Sequence, residues 1–96
     1  MTASEVIERL QATRSDWEPL GVGALFLFGS VARDEAREDS DIDVLVEFNR
    51  RVTLFQFIEL KDRLSQILGR KVDLVTRAAL KPQLRDQILA EVIRAA

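Results

Sequence analysis

Apolar side chains recur at Val6, Ile7 and Leu10 with polar residues between them, and Thr2 stands three residues before Glu5 in the spacing of a capping box. The pattern predicts a first helix over about residues 3–14, with Trp17 and Leu20 extending its packing. Gly21 and Gly23 break this repeat. Ala24 to Phe28 is then unbroken apolar, as in a buried strand, and stops at Gly29-Ser30. Residues 31–40 are polar and mostly good helix formers, which fits one short helix and a loop. From Ile42 to Phe48 the period becomes two: Ile42, Val44, Val46 and Phe48 share a face, and Asp43, Leu45 and Glu47 take the other. A second capping box, Thr53 and Gln56, precedes a helical stripe of Leu54, Phe57, Ile58, Leu64, Ile67 and Leu68 that Gly69 closes. Lys71 to Val75 reads as a third strand with Asp73 inside it. Pro82 suits the first turn of a last helix whose stripe is Leu84, Ile88, Leu89, Val92 and Ile93.

Helix, strand, short helix, strand, helix, strand, helix is the order of an α/β domain with about three strands and helices packed on them. Ninety-six residues suit a single domain, 1–96, that meets any large acceptor at its surface. With 47% apolar and 31% charged residues the composition is that of a soluble globular chain. No apolar run approaches the roughly 20 residues that cross a bilayer, and the acidic N-terminus does not resemble a signal peptide, so a cytoplasmic location is expected.

Two absences narrow the chemistry. Without cysteine or histidine there is no disulfide, thiolate nucleophile, Ser-His-Asp triad or His-ligated zinc. Carboxylates, hydroxyls, Lys/Arg and a hard cation remain. The formal net charge of -2 conceals an asymmetry: residues 34–47 hold seven acids and one base, whereas the rest of the chain holds nine acids and thirteen bases. An acidic centre in a basic frame suits cations that arrive with phosphate, although a solvated loop gives the same count.

Within that centre, Asp41 and Asp43 lie two apart at a strand start, so their side chains leave one face with Cβ atoms roughly 6–7 Å apart. Two carboxylates that close repel unless a cation lies between them, and Mg²⁺ takes such a pair together with substrate phosphates and water. Asp73, alone among apolar neighbours, reaches the same spot if its strand lies alongside. Gly29-Ser30, between a strand and a helix, offers backbone N–H groups and a hydroxyl to phosphate, and Arg33 is placed for a phosphate or for nearby acids such as Glu35 and Glu38. An EF-hand is excluded by Val44 and Arg50 where Gly and Glu are required, and a P-loop by the lack of Gly-Lys-Ser/Thr. Bland readings stand beside these: Ser30 as a helix N-cap, and Asp73 paired with Arg70 or Lys71.

Gly29-Ser30, ten residues, then Asp41-Ile42-Asp43-Val44 resembles the signature of the DNA polymerase beta-like nucleotidyltransferases. FGSVAR, DSDIDVLVEF and KVDLVT, over nearly the whole chain, are similar to the minimal nucleotidyltransferase (MNT) antitoxins. The resemblance implies a small mixed sheet of three to four strands, two Mg²⁺ ions held by Asp41, Asp43 and Asp73, and ATP contacts from Gly29, Ser30 and Arg33. It further implies transfer of AMP to a hydroxyl, such as a tyrosine, of a HEPN-domain ribonuclease toxin in a type VII-like toxin–antitoxin pair. Many relatives carry Gly where this chain has Asp34. A tyrosine acceptor must lie on another molecule, because this chain has none. The alternatives are a non-catalytic antitoxin that neutralises its toxin by contact, and a small-molecule transferase acting on an antibiotic. No direct nucleic-acid binding is expected, and the end of the last helix offers a surface for a partner or a homo-oligomer.

Overall fold

Thr2 starts the first helix as its spacing predicts. In the computed structural model, which describes residues 1–96, the Thr2 hydroxyl accepts from the Glu5 N–H at 3.2 Å and the Glu5 carboxylate accepts from the Thr2 N–H at 3.3 Å. Helix α1 spans Ala3–Ala12, and a separate turn, α2, spans Arg14–Trp17. The single helix expected to residue 14 is therefore two pieces. The break at Thr13 turns Trp17 inward, where it is 1% exposed and its indole N–H donates to the Leu10 carbonyl at 2.9 Å.

The sheet has four strands: β1 Val22–Phe28, β2 Ile42–Phe48, β3 Val72–Val75 and β4 Ile93–Arg94, in the order β3-β2-β1-β4. Helix α3, Gly29–Ala32, and the following loop return the chain so that β2 runs antiparallel to β1. Between β2 and β3 lies α4, Leu54–Leu68, the crossover that a parallel neighbour requires. Both ends of α4 follow the sequence: Thr53 and Gln56 form a capping box, and Gly69 takes φ 64 beyond the last turn. Helix α5 spans Pro82–Glu91. Its expected stripe ends early, because Val92 leaves the helix and Ile93 and Arg94 pair with Leu27 and Phe26 of β1. Two β-branched residues next to an open sheet edge favour that exit, and the edge gains ladder hydrogen bonds.

β2 is buried on both faces. Ile42, Val44 and Val46 join Leu25, Leu27, Val72 and Leu74 against Val6, Leu10 and Trp17 and against Leu60, Leu64 and Leu68 of α4. Leu45, on the opposite face, packs with Phe28 and Leu80 beneath Ile88, Leu89 and Val92 from α5 and the residue after it. Asp43 emerges on this second face, beside the α5 layer. No helix is long and apolar enough to cross a membrane.

Candidate active site

The two strands carrying the acids are neighbours, and their register is regular. Ile42 opposes Val72, Asp43 opposes Asp73, and Val44 opposes Leu74, a constant offset of thirty residues. On its other side Asp43 opposes Phe28, the last residue of β1. A single row across the sheet thus reads Asp73, Asp43, Phe28, and the chain continues from Phe28 directly into Gly29.

Gly29 closes that row against the acids. Its φ is 69, and a Cβ built on it would collide with a carboxylate oxygen of Asp43. Only glycine lets the turn approach so closely, so FGS and DID form two walls of one site.

Asp43 is half-buried, whereas Asp41 and Asp73 are exposed. Loss of water raises the Asp43 carboxyl from 3.8 to about 6; the charges of Asp73 and Asp41 and a hydrogen bond with Asp73 push the same way, and Arg33 opposes them weakly. Asp41 stands 3.9 Å from the Lys71 ammonium, and the three carboxylates do not converge into a closed metal-binding cluster in this structure.

The other residues expected at the site are placed as follows. Ser30 is half-buried in the first turn of α3, and no side chain caps that helix, so the N-cap reading of Ser30 is replaced by Phe28 as an uncapped N-cap. The Arg33 guanidinium donates to Glu35 at 3.1 Å and to Glu91 of α5 at 3.2 Å. The hydrogen bond it donates to Glu35 raises its pKa further, keeping the cation charged. Asp34, at φ 55, fills a left-handed position that glycine takes without strain, and its carboxylate accepts from the Ala3 N–H at 3.1 Å. That bond ties the site loop to the first turn of α1.

Two contacts escaped the sequence reading. Lys71 approaches Asp41 rather than Asp73, and the Arg70 guanidinium donates to the Arg37 carbonyl. The thirty-residue offset was available as a signal: aligning DIDVLV with KVDLVT puts 71 opposite 41. Phe28 was read as strand core only, although the last residue of β1 must flank whichever acid begins β2.

The mixed four-stranded sheet, with paired acids opening one strand and a glycine turn ending its neighbour, is the frame of an enzyme that transfers nucleotides. Residues 6–95 match the family model for a nucleotidyltransferase domain, and the chain belongs to that family. It is 40% identical over 94 residues to the protein adenylyltransferase MntA of Thermococcus cleftensis, covering 97% of this chain and 95% of the relative. A solved structure provisionally assigned as a minimal nucleotidyltransferase superposes with a TM-score of 0.81 at 43% identity, over 97% of this chain and 95% of that one. The same fold occurs, with a TM-score of 0.68 at 21% identity, in the complex of a tri-AMPylated Shewanella oneidensis HEPN toxin with an MNT antitoxin, over 99% of this chain and 72% of that one.

Proposed function

We propose that residues 1–96 act as one unit that transfers AMP from ATP to a hydroxyl of a partner protein, a HEPN-type toxin that the modification silences. Asp41, Asp43 and Asp73 are the catalytic carboxylates, and Gly29, Ser30 and Arg33 meet the triphosphate. The observation that carries this reading is the row Asp73, Asp43, Phe28 with Gly29 packed on the Asp43 carboxylate. The names of the relatives support the choice of AMP and of a protein acceptor.

The donor set fits Mg²⁺: three carboxylates, oxygen ligands only, with Asp43 raised in pKa first by burial and then by its like-charged neighbours, an environment that a cation beside it would relieve. Asp41, Asp43 and Asp73 would hold the ion or ions, which supply charge neutralisation at the phosphates and acidify the acceptor hydroxyl. Asp41 exchanges its Lys71 contact for this role, a small cost because both groups are exposed.

In the transfer the acceptor oxygen bonds to the α-phosphorus and the bond from that phosphorus to the bridging oxygen breaks. Pyrophosphate departs, and the hydroxyl proton passes to Asp73, which is exposed towards an incoming protein. Gly29 admits phosphate oxygens without obstruction, and Ser30 offers a donor beside them. Arg33 swings from Glu35 and Glu91 to the triphosphate. A tyrosine acceptor is supplied in trans, since a chain without tyrosine cannot be its own tyrosine substrate.

The test is to incubate the chain with Mg-ATP and its co-purified HEPN partner and to weigh the partner by mass spectrometry. The expected result is one or more AMP-sized increments that vanish with Asp41→Ala plus Asp43→Ala. An unmodified partner overturns the activity, and increments that persist in the double variant overturn the site.

A further inference from the structure

A second cleft lies on the sheet face that carries Asp43, at its opposite end. It has a volume of about 490 Å³ and is lined by Arg77, Ala78, Arg85 and Leu89. Glu47, on β2, marks the distance: it projects on the same face as Asp43 four residues further on, roughly 13 Å away, and accepts from Arg77 at 3.3 Å.

The two guanidiniums are poorly matched within the chain. The Arg77–Glu47 pair is half-exposed on both sides, at 55% and 43%, and such pairs contribute little. Arg85 donates to the Leu80 carbonyl at a long 3.5 Å, while its Nε is buried with no acceptor. No acid lines the cleft, in contrast to the concavity on α4, where Glu59 and Asp62 stand beside Arg63. Positive charge over a small apolar wall of Ala78 and Leu89 suits an anion with an aliphatic stem.

We propose that this cleft binds an acidic segment, Glu or Asp side chains, of the protein that brings the acceptor hydroxyl. The inference rests on the protein-acceptor reading given above. A triphosphate held at Gly29 and the three carboxylates spends its charge there, and the sugar and base that extend from it carry none, so an anion that meets Arg85 and competes with the exposed Glu47 for Arg77 comes from another molecule. Anchoring the acceptor beside Glu47, itself about 13 Å along β2 from Asp43, orients it and leaves the reacting end free.

The probe is a fluorescein-labelled octaglutamate peptide titrated into the intact chain at low and high salt, alongside a fluorescent ATP analogue with Mg²⁺. Peptide binding is expected to weaken with salt, about fivefold with Arg77→Gln and more than tenfold with Arg77→Glu, with analogue binding unchanged. Arg77 is exposed, so its variants fold; Arg85→Lys, checked by its melting curve, is expected to weaken the peptide about twofold because it keeps charge and loses the fork. With the HEPN partner as substrate, Arg77→Glu is expected to raise the KM for the partner and leave the KM for ATP unchanged. A wild-type chain that ignores the peptide, or an Arg77→Glu variant that binds it normally, overturns the proposal. Displacement of the peptide by ATP or inorganic phosphate also overturns it, making the cleft a nucleotide subsite. Failure of AMP transfer with the peptide arm intact sinks the enzymatic reading instead.

Discussion

Asp43→Asn should make the metal-free protein more stable at neutral pH while removing its activity. Burial and then its acidic neighbours raise the Asp43 carboxyl to about 6 in the folded chain against 3.8 for a free, solvated carboxyl, so folding favours the protonated form. Its favourable contribution is complete below pH 3.8, where the group is protonated folded or unfolded, and is lost as pH rises through about 6. The displacement corresponds to about 3 kcal/mol at full value, and water reaching this half-buried group screens it to about 1–2 kcal/mol. Asparagine keeps the shape and a donor for Asp73 without the charge. Melting followed by circular dichroism in EDTA should therefore show a Tm gain of about 4–12 °C at pH 8 and almost none at pH 3.5. Mg²⁺ should raise the wild-type Tm and narrow the gap, and leave the variant nearly unchanged. An equal gain at both pH values, or a less stable variant at pH 8, would refute the electrostatic account.

Three further outcomes follow from the packing. Gly29→Ala places a methyl group on the Asp43 carboxylate at a positive φ, and urea titration should show a loss of at least about 2 kcal/mol together with loss of AMP transfer. Asp34→Ala keeps the φ of 55 without the bond to Ala3 N and should cost about 1–2 kcal/mol in the same titration, whereas Asp34→Gly relieves the backbone and should fall within about 0.5 kcal/mol of wild type. Trp17→Phe removes the donor to the buried Leu10 carbonyl and part of a fully enclosed ring, and should lower the Tm by about 5–10 °C in a differential scanning experiment.

Much of this architecture was legible because local signals and global fold agree. Both capping boxes, the Gly69 stop, Pro82 in the first turn of α5 and the alternation of β2 each concern residues within seven consecutive positions. The placement of the acids was legible for a different reason: Asp73 alternates with the buried Val72 and Leu74, so its side chain leaves the opposite face of β3, where it is exposed. What stayed hidden depends on distant partners. Nothing near Val92 announces that Ile93 will pair with Leu27, and an apolar stripe at helical spacing is indistinguishable there from the edge strand it precedes. The break at Thr13 is likewise decided by Trp17 finding the Leu10 carbonyl. Arg33 had several acids within reach in sequence, and only the docking of α5 brings Glu91 to it.

The parallel pairing of β2 with β3 also dates the assembly of the site. During synthesis from the N-terminus, Gly29, Asp41 and Asp43 emerge well before Asp73, which follows α4 in the chain. That pairing joins residues thirty positions apart, and the pairing of Ile93 with Leu27 spans more of the chain still, so the sheet is held by non-local contacts. A nascent or partly unfolded chain therefore carries two acids and a turn without the third member of the proposed centre, and damage to the α4 core at Leu60 or Leu64 is expected to disturb that centre without touching any of its residues.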